Sequence, residues 1–313
     1  MPDFLNIHIP KRILLIIMVG IFALFATMIS VLNTLGDYAD AMLAEQLRQE
    51  SLFRAYMHTQ VGAQAVVVYD VTHDEVLYGR HPYDRKPLAS ITKIMTALIG
   101  KTILPATLPV TITQRDRTEE PDMQLRTGDT WASRDLIQYF LVKSSNDGST
   151  AICNTVTEQV KKTNANLNCI SLMNEYAKNL GLKTLYFANP TGLDLSNGLP
   201  SNFGSALDVA KLLGKAYASY PGLFEVTNQP IVSFRTDKYV YEATNTDKIL
   251  DEVDTVLAGK TGYTDTAGGN LAVLYEPRPG LQVAIVVLGS SRHGRFNDML
   301  ELIKRTNRYF DGY

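Results

Sequence analysis

Pro87-Leu88-Ala89-Ser90-Ile91-Thr92-Lys93-Ile94-Met95-Thr96-Ala97-Leu98 reads as a helix that begins at or just before the serine. Positions i and i+3 share a helix face, so the amine of Lys93 can reach the hydroxyl of Ser90. Ile94, Ala97 and Leu98 then anchor the helix in a core. A serine hydroxyl is a poor nucleophile until a base takes its proton. Lys93 can do so only when neutral, which calls for desolvation or a neighbouring cation. Alone, Ser-x-x-Lys is weak. Roughly one chance match is expected in a chain of this length, and such a match is ordinarily a surface helix with a solvated lysine.

Two further motifs follow in order. Ser144-Ser145-Asn146 comes after Leu136–Val142, an apolar helical run with a candidate cap at Ser133. Ser144 and Asn146 thus fall where a helix ends and a loop begins, and they offer a proton-relay hydroxyl and an amide. Lys260-Thr261-Gly262 follows the short strand-like run Val256–Gly259. Lys260 is the obvious cation for Lys93, and small residues at Thr261 and Gly262 let a peptide pair with a strand edge. Further strands are expected at Asn270–Tyr275 and Leu281–Leu288, and a hairpin at Ala65–Asp70 and Glu75–Gly79 around Thr72-His73-Asp74. The expectation is an α/β fold: an antiparallel five-stranded sheet flanked by helices at Ser90 and near the C-terminus. An all-helical insert spans about residues 90–220, and the three motifs share the cleft between sheet and insert.

These three motifs form a set known from penicillin-binding proteins and class A β-lactamases. From about Ala63 to its C-terminus the chain resembles the serine D-Ala-D-Ala carboxypeptidases, the low-molecular-mass penicillin-binding proteins. The resemblance is carried by the Ser90 segment, by Leu125-Arg126-Thr127-Gly128-Asp129 through Asp147, by Phe187-Ala188-Asn189-Pro190-Thr191-Gly192-Leu193-Asp194, and by Gly259 to Asp265. It implies a transpeptidase/β-lactamase-like fold and a D,D-carboxypeptidase acting on peptidoglycan stem peptides, acylated by β-lactam antibiotics. D,D-endopeptidase activity is not separable from it in the sequence. Ser90 would be acylated by the penultimate D-Ala, Lys93 would be the base, and Ser144 would pass the proton to the leaving amine. Asn146 would bond the substrate peptide group, Lys260 and Thr261 its terminal carboxylate, and the N–H groups of Ser90 and Tyr263 would form the oxyanion hole. Such donors are commonly worth about 2.7–4 kcal/mol in the barrier. Arg295, with Arg292 as second choice, matches an arginine that helps bind the carboxylate. No metal or cofactor is required.

Two other readings compete. A class A β-lactamase has Asp where this chain has Ser145, and a dedicated Glu for deacylation that is not recognisable here. A non-catalytic peptidoglycan-binding scaffold has no need of both Ser90 and Lys93. Many relatives also continue into a β-rich second domain and a C-terminal anchor, whereas this sequence runs into one terminal helix, about Arg295 to Phe310.

Ile13 to Gly36 is uncharged and mostly apolar, long enough to span about 30 Å of hydrocarbon. Lys11 and Arg12 precede it, and Asp37 and Asp40 follow, so positive-inside reasoning keeps the N-terminus cytoplasmic. The expected layout is a cytoplasmic segment (1–12), an uncleaved membrane anchor (13–36), a helical stalk (37–60) and an extracytoplasmic D,D-peptidase domain (61–313). That is a single-pass protein of the bacterial inner membrane with its catalytic part in the periplasm. A net charge of −2 with no basic stripe gives no hint of nucleic-acid binding. His8, His58, His73, His81 and His293 lack metal-ligand spacing. Cys153 and Cys169 fit either a disulfide in an oxidising compartment or two small buried thiols on neighbouring helices.

Overall fold

The computed structural model describes residues 10–117 and 125–312; Met1–Ile9, which hold most of the expected cytoplasmic segment and His8, lie outside it. The chain forms two compact units, Met1–Arg54 and Ala55–Tyr313.

In the first unit, helix α1 (Lys11–Tyr56) runs unbroken through both the expected anchor and the expected stalk. Pro10 precedes its first turn, where a missing N–H costs nothing, and its carbonyl accepts from the N–H groups of Ile13 and Leu14. The apolar half reaches a mean hydropathy of 2.7 over 18 residues. The polar half is tied by Arg48 to Glu45 and Arg54 to Glu50, at helical spacings.

The second unit begins with the hairpin β1 (Ala65–Asp70) and β2 (Glu75–Arg80). Next come β3 (Lys86–Pro87), a 3₁₀ turn at Ala89–Thr92, α2 (Lys93–Ile103), β4 (Pro109–Thr111) and β5 (Thr130–Ala132). Helices α3 (Ser133–Lys143), α4 (Asn146–Lys161) and α5 (Cys169–Asn179) follow. After β6 (Phe203–Gly204) lie α6 (Ala206–Ser219) and α7 (Pro221–Phe224). The hairpin β7 (Ile231–Arg235) and β8 (Val240–Thr244), the strands β9 (Val256–Thr264), β10 (Gly268–Arg278) and β11 (Leu281–Ser290), and α8 (Gly294–Asp311) complete the chain.

The main sheet has five strands in the order β2-β1-β11-β10-β9, every neighbour antiparallel. Its central strands read as continuous apolar runs because both faces are covered. One side chain set (Val67, Ala284, Val286, Leu288) joins the large core beneath α6, while α8 packs on β10 and β11. The Ser90 helix was expected on the first face; α6 takes that place instead, and α2 stacks against α6 and among α3, α4 and α5. A side chain at Gly214 of α6 would meet Val71 at 2.8 Å, so the small residue sets this close approach. α2 is consequently buried all round from Lys93 to Gly100.

Helix begins just before the serine as expected, but as the 3₁₀ turn Ala89–Thr92, the α-helix starting only at Lys93. One local expectation is corrected: Ser133 is the first residue of α3 and not its cap; its hydroxyl donates to the carbonyl of Pro105 at 2.6 Å. Lys260-Thr261-Gly262 lies on a strand edge as expected, inside β9, which continues to Thr264. Cys153 of α4 and Cys169 of α5 are joined in a disulfide. The β7–β8 hairpin was not foreseen; Phe234 and Tyr241 on its inner face pack on Trp131 and Tyr139. Tyr241 also donates to Asp129 at 2.6 Å.

Candidate active site

Ser90 lies in the 3₁₀ turn that leads into α2. Residues i and i+3 eclipse in a 3₁₀ turn, so Lys93 stands beside the serine although the α-helix starts only there. Its Nζ donates to Ser90 Oγ at 2.8 Å, to Asn146 Oδ1 at 2.8 Å and to the Thr191 carbonyl at 2.8 Å. Lys93 is fully buried. Ala89, immediately before the nucleophile candidate, has a φ of 46°, a conformation that costs a non-glycine residue on the order of 1–3 kcal/mol and survives only where surroundings enforce it. Gly192 supplies that enforcement: it has a φ of 82°, and a Cβ there would sit 1.8 Å from the Ala89 carbonyl oxygen.

The turn holding Thr191 and Gly192 is built by asparagines. Asn189 Oδ1 accepts from the N–H groups of Thr191 and Gly192. Asn202 ties the turn to the nucleophile segment, with Nδ2 donating to Thr92 Oγ1 at 2.9 Å and to the Asn189 carbonyl. Thr96 of α2 donates to the Pro190 carbonyl at 2.7 Å. Sequence reading singled out this segment without giving it a role. Asn189-Pro190-Thr191-Gly192 announces a turn, but a carbonyl that anchors a lysine leaves no side-chain signature.

Ser144 is the C-cap of α3, in the left-handed region at φ 63°. Asn146 opens α4, whose N-cap is Ser145; the Ser145 hydroxyl accepts from Gly148 N–H at 3.0 Å. Ser145 is therefore occupied in starting a helix, with Ser144 and Asn146 projecting from either side of the cap. Lys260, from the facing strand, donates to Ser144 Oγ at 2.9 Å. Two lysine-centred groups thus share the site: Lys93 with Ser90 and Asn146, and Lys260 with Ser144.

β9 is an edge of the sheet, paired with β10 alone among its strands. Gly262 brings that edge against the nucleophile turn. A Cβ there would lie 3.0 Å from the Leu88 carbonyl oxygen and 3.1 Å from the N–H nitrogens of Ser90 and Ile91. Thr261 is buried, its hydroxyl 2.5 Å from that of Thr246. Tyr263, next along the strand, is partly exposed.

Arg295 is buried on α8, and its Nη1 donates to the Gly262 carbonyl at 2.6 Å. It thereby braces the strand edge from behind. Arg292 instead lies over the Tyr263 ring at 4.9 Å, in the open. Burial pushes Lys260 down to about 7, with Arg295 adding to the effect and Asp247 opposing it. Asp247, not foreseen from the sequence, caps the 3₁₀ turn Lys248–Asp251 through Oδ1, while its buried Oδ2 has no hydrogen-bond partner. Burial raises it to about 6, against the pull of Arg295 and Lys260.

A buried amine on a serine hydroxyl, a second hydroxyl held by a second lysine, and an open strand edge alongside form a set suited to acyl transfer from a peptide. Comparison with known proteins agrees. A D-alanyl-D-alanine carboxypeptidase from Mycobacterium tuberculosis of known structure superposes with a TM-score of 0.68 at 25% identity, over 79% of this chain and 91% of that one. Penicillin-binding protein D2 from Listeria monocytogenes, solved with ampicillin bound, gives 0.66 at 28% identity, over 79% and 97%. Among curated relatives, the D-alanyl-D-alanine endopeptidase of Pseudomonas aeruginosa is 28% identical over 68% of this chain, and the match spans just under two thirds (66%) of that protein's length. The endopeptidase of Escherichia coli is 26% identical over 75% of this chain and 74% of its own. The peptidase S11 model, described as D-alanyl-D-alanine carboxypeptidase, matches residues 52–292, and the chain therefore belongs to that family.

Proposed function

We propose that this protein is a serine D,D-peptidase that cleaves the D-Ala-D-Ala terminus of peptidoglycan stem peptides and is acylated by β-lactams. The observation that carries the reading is the Lys93 hydrogen-bond set. The Thr191 carbonyl and Asn146 Oδ1 are acceptors only at those atoms, so they take two of the amine's hydrogens. In a neutral amine the remaining tetrahedral position is a lone pair aimed at Ser90 Oγ, 2.8 Å away. That is the arrangement a general base needs.

In this reading Ser90 Oγ attacks the carbonyl of the penultimate D-Ala while Lys93 takes its proton. The N–H groups of Ser90 and Tyr263 stabilise the oxyanion, and the D-Ala amine leaves with a proton delivered through Ser144. Water then hydrolyses the ester. Lys260 and Thr261 hold the terminal carboxylate, Asn146 bonds the substrate peptide group, and Gly262 keeps the strand edge close enough for the peptide to pair with it. Arg295 acts on the carboxylate site at one remove, through the Gly262 carbonyl and the charge of Lys260. The substrate's location follows: the helix α1 is long and apolar enough to cross a membrane, and with Lys11 and Arg12 on the cytoplasmic side of the bacterial inner membrane it would carry the second unit into the periplasm.

Labelling with a fluorescent penicillin tests this. A stable covalent band in the wild type and none in Ser90→Ala is expected. A band that survives the substitution removes Ser90 as nucleophile. An unlabelled protein that destroys the antibiotic would be a β-lactamase, and one that leaves it intact would be a binder.

A further inference from the structure

Asn202 immediately precedes β6, lies outside the three motifs and is 1% exposed. Both ends of its amide are in use. Oδ1 accepts from the N–H groups of Ala188 at 2.8 Å and Asn189 at 3.3 Å, while Nδ2 donates to the Asn189 carbonyl and to Thr92 Oγ1, each at 2.9 Å. Its backbone carbonyl accepts from the N–H of Leu88 at 3.0 Å. We infer that Asn202 is a positioning residue for acylation: it keeps the Ser90 turn and the Thr191 turn in register, so that Lys93 meets the Thr191 carbonyl and Ser90 Oγ together. This role rests on the D,D-peptidase reading and adds to it a residue that touches neither substrate nor reacting atom.

The partners of Asn202 bracket the nucleophile. Leu88 stands two residues before Ser90, and Thr92 two residues after it. Between them Ala89 holds a φ of 46°, a conformation that persists only where the surroundings over-determine it. A fixed point on either side of Ser90 supplies part of that constraint. At the other end of the amide, Ala188 and Asn189 lead into the turn that presents the Thr191 carbonyl, and Asn189 Oδ1 shapes that turn. Lys93 and Thr191 are 98 residues apart in sequence, so their alignment depends on cross-links between the two turns. Gly192 lets the turns approach, but its contact with the Ala89 carbonyl is steric and sets only a closest distance. Thr96 bonds the Pro190 carbonyl from α2, beyond Lys93. Asn202 grips both turns through one side chain.

An amide suits this task. It offers two hydrogens and two lone-pair directions in one plane, and a buried polar group with its partners in place is rigid. A residue that served only to close its own loop would bond its chain neighbours. The partners of this amide lie 13, 14 and 110 residues away. The substrate contacts proposed for Lys260, Thr261 and Tyr263 come from β9, and none of the bonds above reaches that strand. Loss of the clamp should therefore slow the chemical step and leave binding in place. Misplacing a reacting group by about 1 Å can cost on the order of 10²-fold.

Time courses of fluorescent-penicillin labelling over a range of concentrations give a limiting rate and a half-saturating concentration. They are measured well below each Tm for the wild type, Asn202→Ala, Thr92→Val and the double variant. The limiting rate should fall about 10- to 100-fold in Asn202→Ala and by a smaller factor in Thr92→Val. The half-saturating concentration should change less than about twofold in both. In the double variant, Thr92→Val should add nothing to Asn202→Ala, because the bond it removes is already gone. Limiting rates at the wild-type value, with only the Tm lowered, overturn the positioning role and leave the D,D-peptidase reading standing. Losses that multiply in the double variant overturn it too, since the two residues would then act separately. Should Asn202→Ala not fold, Thr92→Val decides by the same two quantities. A wild type that takes no label overturns the D,D-peptidase reading and the positioning role with it.

Discussion

With Lys260 in its proposed role as partner of the substrate carboxylate, the activity should depend on pH. A terminal carboxylate needs the ammonium form, yet burial holds this lysine at about 7 instead of its usual 10.5, and Arg295 pushes it the same way. In the free enzyme, kcat/KM for a D-Ala-D-Ala peptide should therefore fall as pH rises through about 7. A bound carboxylate favours the charged form, so the corresponding fall in kcat should lie at higher pH. Asp247 identifies the group. Its carboxylate is the one influence that raises Lys260, and its Oδ1 cap to Ile249 survives as an amide oxygen in Asp247→Asn. Removing the negative charge should move the alkaline limb of the kcat/KM profile to lower pH, read from full pH–rate profiles of both proteins. A limb that stays put or rises would belong to another group. The sequence gives no hint of this control. Lys260 is visible in its motif, but the residue that tunes it lies thirteen positions upstream and is just one more acidic residue in a polar stretch.

The elements were legible where periodicity or motif spoke. Ala65–Asp70 and the late strands emerged because buried runs of Val, Ile and Leu between turn residues have few other readings, and the Glu75 strand because it follows a turn at hairpin spacing. The β7–β8 hairpin escaped because its outer face is exposed and its inner face brings just four residues to the core, Phe234, Tyr241 and Ala243 buried and Val232 partly so. The helix at Ser90 was legible but its type was not, because i, i+3 contact is common to the 3₁₀ turn and the α-helix. The role of Thr191 was hidden since it resides in a backbone atom. Cysteine pairing was open for a different reason: spacing alone cannot tell whether two helices bring thiols together, and here α4 and α5 set the two Cα atoms 5.3 Å apart. The bond closes a loop with a sequence separation of 16, for which chain-entropy arguments give about 3 kcal/mol. Cys153→Ser should lower the Tm of the second unit by on the order of 10 °C, and reductant should lower the wild type to the same value in calorimetry. Tm values unchanged by either treatment would mean that packing of α4 on α5 suffices without the bond.

At the scale of the molecule, the two units differ in how their apolar side chains are covered. Along the apolar half of α1, Ile16, Phe22, Leu24 and Leu32 are each more than half exposed, a face that water does not tolerate at this length and a bilayer accepts. From Ala55 onward the chain has its own core, closed by contacts such as Tyr56 stacked on Tyr78 at 4.8 Å and bonded to Thr306 at 2.8 Å. Every residue of the Ser90, Ser144 and Lys260 clusters lies within that second unit. The acyl-transfer chemistry should then survive removal of the span. A protein beginning at Asp37 should remain in the supernatant after ultracentrifugation and take the fluorescent penicillin at a rate within about twofold of the detergent-solubilised full chain, the scatter expected for a change that touches no catalytic contact. The full chain should sediment with membranes and resist extraction by salt or alkali, as a spanning helix does and a surface-bound one does not. Alkaline release of the full chain would reduce α1 to a surface helix. Loss of labelling in the shortened protein would show that the 13–36 segment supports the folded state as well as the location.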